Sequence, residues 1–573
     1  MHGRRSPSRA ALAYAISVLV AANTVLPQVD AKEPVRGKHG MVVAQEPIAA
    51  DVGLSVLQSG GNAVDAAIAV GFALAVTHPV AGNLGGGGFM LVRLANGQTT
   101  FLDFRECAPG KASHDMYLGP DGKPTQDSIY GWRSSGVPGS VAGFEMAAKK
   151  FGSKPWNTLL EPAVTLAGKG FTLTRPVAQS LEHAQPLTRD AESQRVFQHS
   201  GHFYQAGDTF RQPELAATLE RIAQHGAREF YQGETAQRLA KEMAAHGGLI
   251  TREDLKNYKV IERKPLEGDY KGFHIITSPP PSAGGVGILQ MTGILDGTHY
   301  DSDGADSVKA VHFEAEAMRR FYADRSEYLG DPDFYNVPLK PLLDPKYFEQ
   351  RRATIDPEHA TPSDMIGPGL PKTDAARLFG RESTETTHYN VVDGKGNAVA
   401  VTYTLNNSYG NGITVPGLGF LLNDEMDDFV AKPGEPNMFG LVGGEANAIE
   451  PGKRPLSSMT PTIVTRDNKL AMVLGAPGGS RITTGVMEVM LDVLDFGMNA
   501  QDAIDLPRFH HQWKPDVLYL QHGFPPNVAE ALLQMGYDVK PTDGVARVEA
   551  IVVKGDTLEG GTESRLFGKV AAY

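Results

Sequence analysis

Thr386 stands where a polar run, RESTE, meets an alternating stretch, THYNVV. A threonine hydroxyl is a weak nucleophile unless a base lies beside it. If the bond between Glu385 and Thr386 is cut, Thr386 gains a free α-amine. That amine has an ordinary pKa of about 7.7–8.0, so it is partly neutral near pH 7 and can act as the base. One residue then supplies both nucleophile and base, and the chain is a self-processing precursor. The competing reading is an ordinary strand-starting threonine. Thr404, on the strand expected to pair with this one, is placed to orient the Thr386 hydroxyl.

Three other groups carry candidate chemistry. In LAMVLGAPGGSRITTG, a strand runs through a glycine loop into a helix. Such a loop aims backbone N–H groups at one point, and Gly478 and Gly479 could hold the oxyanion of an acyl-transfer intermediate. A purely structural turn is the alternative. LLNDEMDDF offers Asp424, Glu425, Asp427 and Asp428. These suit an ammonium group or a solvated acidic turn, and the calcium-loop spacing is absent. In KRPLSSM, Ser457 and Ser458 can donate hydrogen bonds to a carboxylate, and Arg105 in LDFREC can add a bidentate salt bridge. Lys453 and Arg454 read equally well as surface charge. Adjacent His510 and His511 point to opposite faces of a strand, which favours packing over metal binding.

The elements that must position these groups are legible in outline. Ala63–Val76 reads as a buried helix capped by Asn62, followed by a Gly85–Gly88 turn and a strand, Phe89–Leu94. Residues 140–260 are mainly helical, with a helix start at Thr251. A strand pair is expected at Lys259–Pro265 and Phe273–Ser278. A helix spans about 305–330, and 331–385 is loop-rich. Thr387–Val392 and Asn397–Thr404 form a hairpin through Asp393-Gly394-Lys395-Gly396. PGLGFLLND and PTIVTRDNKLAMVLG supply further strands, and helices follow near 482–496, 500–505 and 527–536. Segregated runs of strands and helices predict an α+β fold with sheets packed under helices.

Composition narrows the function class. The chain has 573 residues, 41% hydrophobic and 21% charged, with a formal net charge of −12. The N-terminus reads as a secretory leader. Arg4, Arg5 and Arg9 precede an apolar run, Ala10–Ala22, which is short for a membrane span. Val29-Asp30-Ala31 places cleavage after Ala31, with an earlier cut near Ala22 and an uncleaved anchor as alternatives. Losing residues 1–31 removes three arginines and Asp30 and leaves a charge of −14. An acidic protein without a basic stripe excludes nucleic acid as a partner. Cys107 is the only cysteine, so no internal disulfide forms, and nothing nearby activates it.

Taken in order, GGNAVDAA, LGGGGFMLV, LDFRE, SGVPGSVAG, PPPSAGGVG, TTHYNVVD, VAVTYTLN, LLNDEMDDF, KRPLSSMTPTIV, GAPGGSRI and PRFHHQW resemble the gamma-glutamyltransferase (gamma-glutamyltranspeptidase) family of N-terminal-nucleophile hydrolases. The resemblance covers nearly all of the chain after the leader. It implies a four-layer αββα sandwich. It also implies cleavage between Glu385 and Thr386, giving a large subunit (32–385) and a small subunit (386–573) that together form one heterodimeric domain. By that likeness Thr386 attacks a γ-glutamyl amide such as glutathione, Thr404 orients it, and Gly478 and Gly479 hold the oxyanion. Arg105, Ser457 and Ser458 take the α-carboxylate; Asn406, Glu425 and Asp428 take the α-ammonium. The acyl group passes to water or to an amino acid or dipeptide amine, with no cofactor and no metal. A periplasmic or secreted location follows from the leader.

There are departures from the pattern. Glu425 replaces a glutamine common in bacterial members, Phe439 replaces a lid tyrosine, and the C-terminus diverges, so Arg565 takes no role. The rival readings are a glutaryl-type β-lactam acylase of the same superfamily and a catalytically dead scaffold.

Overall fold

The computed structural model describes residues 33–370, 386–430, 444–564 and 567–573. The leader, Glu385, Phe439 and Arg565 lie outside them.

Two seven-stranded sheets form the centre. The first has the order Lys569–Ala572, Gly40–Ala44, Thr387–Asp393, Ala398–Thr404, Gly87–Arg93, Thr99–Phe104 and Ile261–Arg263. The second has Val35–Gly37, Thr557–Gly561, Glu549–Lys554, Lys469–Gly475, Thr462–Arg466, Phe273–Thr277 and Leu266–Tyr270. Every pairing within both sheets is antiparallel.

The strands are buried on both faces, which explains their nearly unbroken apolar sequences. Met41 and Val43 join the core that contains Val473 and Ile551 of the second sheet. Val42 and Ala44 of the same strand join a separate core with the helix Ala63–Thr77. That is the period-two alternation of a strand sandwiched between a sheet and a helical layer. Ala63–Thr77 and Ser140–Phe151 cover the first sheet; Gly284–Leu295 and Arg481–Leu494 cover the second. The result is the expected four-layer αββα sandwich.

Ala63–Thr77 is buried along its whole length, as its small apolar sequence requires. Asn62 and Asp65 close its first turn with a reciprocal capping box. Thr251 and Asp254 do the same for Arg252–Asn257. The helices at Val308–Tyr328, Arg481–Leu494, Ala500–Asp505 and Pro526–Gln534 fall close to their expected positions.

Two expectations need correction. Lys259–Pro265 and Phe273–Ser278 do not pair. Ile261–Arg263 pairs with Thr99–Phe104 in the first sheet, whereas the partner of Phe273–Thr277 is Leu266–Tyr270 in the second. The chain crosses between sheets at Lys264-Pro265, where the proline cannot donate to a ladder. PGLGFLLND is not a strand either. It makes only isolated bridges, Thr414 to Leu421 and Gly85 to Leu422, because Gly417 and Gly419 take positive φ and fold it into a tight turn.

Candidate active site

The hairpin sets the place of Thr386. Thr387 stands opposite Tyr403, so Thr386 falls beside Thr404. The Thr386 hydroxyl lies 3.5 Å from Thr404 Oγ1. Thr404 Oγ1 in turn accepts a 2.9 Å hydrogen bond from the Asn406 backbone N–H. Both threonines are buried. Asn406 has φ of 78°, and this left-handed turn carries the chain away just past the strand. Its side-chain amide donates to the Asp424 carbonyl at 3.0 Å, joining the turn to the acidic segment.

Below Thr386 runs a polar column facing the second sheet. His388 meets Thr402 Oγ1 at 2.8 Å and Asn390 Oδ1 at 2.9 Å, and Asn390 donates to the Glu549 carbonyl at 2.8 Å. Burial pushes the His388 imidazole down to about 3, so it is neutral. A side chain at Gly475, the last residue before the glycine loop, would collide with the His388 ring. His388 thus forms the floor on which that loop rests. Sequence reasoning passed over it, although its spacing of two from Thr386 puts it on the same strand face.

The acidic segment is not a solvated turn. Asp424, Glu425, Asp427 and Asp428 are all buried, on the short helical turn Glu425–Asp428. The Arg105 guanidinium ion-pairs with Glu425 through one nitrogen and with Asp428 through the other. It also donates to the Leu456 carbonyl at 3.3 Å, which ties it to the serine segment. Glu106 lies 3.8 Å from the same guanidinium, with both carboxylate oxygens buried and unpartnered. Burial alone would lower the Arg105 pKa, but Glu425, Asp428 and Glu106 more than reverse this and keep it charged. Burial pushes the Glu425 carboxyl well up against the pull of Arg105. It pushes Glu106 up to about 7, again against Arg105. Glu106 was not among the expected site residues, yet its place beside Arg105 in LDFRE was the available signal.

Ser457 Oγ accepts from the Met459 N–H at 3.1 Å, and Ser458 Oγ is buried without a partner. Lys453 and Arg454 are buried rather than superficial; Arg454 pairs with Asp103 at 3.3 Å and its N–H donates to Asp331 at 2.8 Å. His510 and His511 are buried and hydrogen-bonded to Thr484, Gln512 and Asp516. Burial pushes the Cys107 thiol up to about 12, which leaves it inert.

One small cavity gathers Thr386, Thr404, Arg105, Asn406, Glu425 and Asp428. Ser457, Ser458 and Gly479 complete its wall. Gly478 lies one residue behind the wall. Gly478 and Gly479 have φ of 140° and 59°, conformations that favour glycine and turn the loop into the helix Arg481–Leu494. The glycine run before Gly87–Arg93 serves the same site, since a side chain at Gly86 would clash with the Thr404 carbonyl.

A buried threonine pair, a glycine loop at a helix start, an arginine with two serines, and two carboxylates stand in one place. The family model for gamma-glutamyltranspeptidase matches residues 49–573.

The chain belongs to the gamma-glutamyltranspeptidase family.

Within the curated relatives, a glutathione hydrolase proenzyme of Escherichia coli (strain K12) is 48% identical over 540 residues, covering 94% of this chain and 92% of its own length. Among solved structures, the gamma-glutamyltranspeptidase of Helicobacter pylori is 43% identical with a TM-score of 0.56, over 57% of this chain and 96% of that one. A cephalosporin acylase from Bacillus halodurans superposes with a TM-score of 0.83 at 28% identity, over 95% of this chain and 97% of that one. No helix among the described residues of this family member is long and apolar enough to cross a membrane.

Proposed function

We propose that Thr386 is the N-terminal nucleophile of a self-processing glutathione hydrolase and gamma-glutamyltransferase. The observation that carries this reading is the convergence, in one cavity, of Thr386 with a cation and two serines on one hand and two carboxylates on the other. An α-amino acid head has one anionic and one cationic end, and the clamp offers groups of opposite sign for each. Arg105, Ser457 and Ser458 take the α-carboxylate. Glu425, Asp428 and Asn406 take the α-ammonium.

The chain is first cut before Thr386, separating fragments 32–385 and 386–573 that stay together as a heterodimer. The new Thr386 amine accepts the hydroxyl proton as Oγ attacks the γ-carbonyl carbon. Gly478 and Gly479 N–H groups stabilise the oxyanion, a contribution of about 10²–10³ in rate for one such donor. Thr404 holds Oγ in line. The amine of the γ-glutamyl compound leaves with the proton, and the ester passes to water or to an amino acid or peptide amine. The arginine-rich start and short apolar run of residues 1–31 support export to the periplasm or beyond, with the leader lost after Ala31.

The related acylase reading is less well supported. A glutaryl group has no ammonium, so it would bring no positive charge to the buried Glu425 and Asp428 that pair with Arg105. Turnover of γ-glutamyl and glutaryl anilides separates the two; faster glutaryl cleavage overturns the proposal. A denaturing gel checks processing, since two fragments of about 38 and 20 kDa are expected. Thr386→Ala should show a single unprocessed chain without activity.

A further inference from the structure

Ser480 stands at the start of the helix Arg481–Leu494 without capping it. Serine is favoured at such a position because its hydroxyl can accept from an N–H of the first turn. Here the residue takes helical angles, φ −55° and ψ −29°, and its side chain makes no cap bond. The hydroxyl donates instead to Gln512 Oε1 at 3.0 Å. The Ser480 carbonyl is held as well, by the hydroxyl of Tyr322. Tyr322, Ser480 and Gln512 are all buried.

His510 fixes Gln512 and Tyr322 in turn. Its Nε2 lies 2.9 Å from Gln512 Oε1, and its Nδ1 lies 2.9 Å from Thr484 Oγ1. Its ring meets that of Tyr322 edge-on, with centroids 5.7 Å apart. Burial pushes the imidazole down to about 3, so it carries a single N–H. With that proton on Nε2, Gln512 Oε1 accepts from both His510 and Ser480. Tyr322 belongs to the long helix Val308–Tyr328, and Gln512 follows the strand Phe509–His510. Two separate elements thus grip one residue.

That residue directly follows Gly479. The carbonyls of Gly478 and Gly479 accept from the Arg481 and Ile482 N–H groups at 3.2 and 3.1 Å, which starts the helix. The N–H groups of Gly478, Gly479 and Ser480 meet no acceptor among the described residues. They stay available to an incoming anion, with the positive end of the helix behind them. A Ser480 hydroxyl turned back to cap the helix would lay its oxygen over that end and compete with the anion. Gln512 draws the hydroxyl away.

We propose that Gln512 and Tyr322 are positioning residues for the acyl-transfer reaction, acting through Ser480 to aim the Gly478 and Gly479 N–H groups at the oxyanion. The wall of the cavity around Thr386 includes Gly479 and Ile482, whereas Ser480, Gln512 and Tyr322 stand behind it. Their effect is therefore on the geometry of the donors and not on contact with the substrate. The inference rests on the reading of Thr386 and the glycine loop given above.

The test uses the self-processed enzyme with a γ-glutamyl anilide as substrate. Norvaline serves as competitive inhibitor, since it offers the clamp an amino-acid head and has no γ-carbonyl. A misplacement of about 1 Å can cost about 10²-fold in rate, so a partly loosened loop should cost about tenfold. Gln512→Ala and Ser480→Ala should each lower kcat by that amount, and the double variant by no more than about twofold beyond either. Tyr322→Phe, which removes only a hydroxyl, should resemble them. The inhibition constant of norvaline should stay within about twofold throughout, because the loss falls on the transition state alone. A kcat within about twofold of the parent in Gln512→Ala overturns the inference. So does norvaline binding that weakens in step with kcat, or a double variant whose losses multiply to about 10²-fold. If Gln512→Ala does not cut itself, Tyr322→Phe decides by the same kcat criterion. If both stay uncut, the network serves the fold or the cut, and the inference is overturned as well. Parent enzyme that leaves the anilide intact overturns the hydrolase reading itself.

Discussion

Arg105 and Asp428, 323 positions apart in sequence, form a buried ion pair across the floor of the candidate active site. The group expected to hold the substrate's carboxylate is thus paired with one expected to hold its ammonium. An entering amino acid head can slip between them and satisfy both, so the charges of the clamp are never left bare. Truncating one partner of such a pair costs about 2–5 kcal/mol, largely through the charge left behind.

Asp428→Asn should therefore weaken donor binding strongly. The KM for a γ-glutamyl anilide is expected to rise at least about 30-fold, from the lower end of that range. The KM for a glutaryl anilide should move much less. A parallel rise for both donors would remove Asp428 from ammonium recognition.

On the proposed mechanism, Thr404→Ala should lower kcat by about 10²-fold, because Thr386 loses the hydroxyl beside it. Thr404→Ser keeps that hydroxyl and should recover most of the rate. Single-turnover kinetics with the anilide would read this directly, and an inactive serine variant would point to packing of the lost methyl instead.

Gly86→Ala places a methyl group against the Thr404 carbonyl, which belongs to the sheet backbone and has little room to move. Overpacking of this kind costs about 1–3 kcal/mol. The expected result is a lower melting temperature together with slower fragment formation on a denaturing gel. Normal processing in a destabilised variant would separate the fold from the site.

Glu106 makes stability depend on pH. Its carboxyl is raised from an ordinary 4.5 to about 7 by burial. Between those values the folded protein holds a proton that the unfolded chain has released. The contribution is full below about 4.5 and is lost as pH rises through about 7. Glu106→Gln removes this dependence, so the variant should gain stability relative to the parent on going from pH 5 to pH 8. Urea midpoints at the two pH values check the sign. A variant whose relative stability stays flat across that interval would mean that Glu106 is ionised throughout.

Much of the site was legible because its members lie in short segments of unusual composition. TTHY, APGGS and DEMDD each announce a chemical type, and the strand hairpin between Thr387 and Thr404 follows from alternation around a glycine turn. Burial was not legible. DEMDD and KR look like surface segments, and only their mutual neutralisation with Arg105 and Asp103 makes an interior position tolerable. The pairing of Ile261–Arg263 was also hidden, since a strand of three residues carries too little pattern to reveal which sheet it joins.

The sequence by itself determined the candidate nucleophile, the signs of the groups gathered with it and the alternation that faces Thr386, His388 and Asn390 the same way. Those depend on residue type and on the two-residue period of a strand, which are local. Only the tertiary structure decided that Arg105, Glu106, Glu425 and Asp428 share one buried cluster. Such neighbours are set by the order of strands in a sheet and by loss of contact with water. Both are properties of the packed chain as a whole, which spacing along the sequence does not encode.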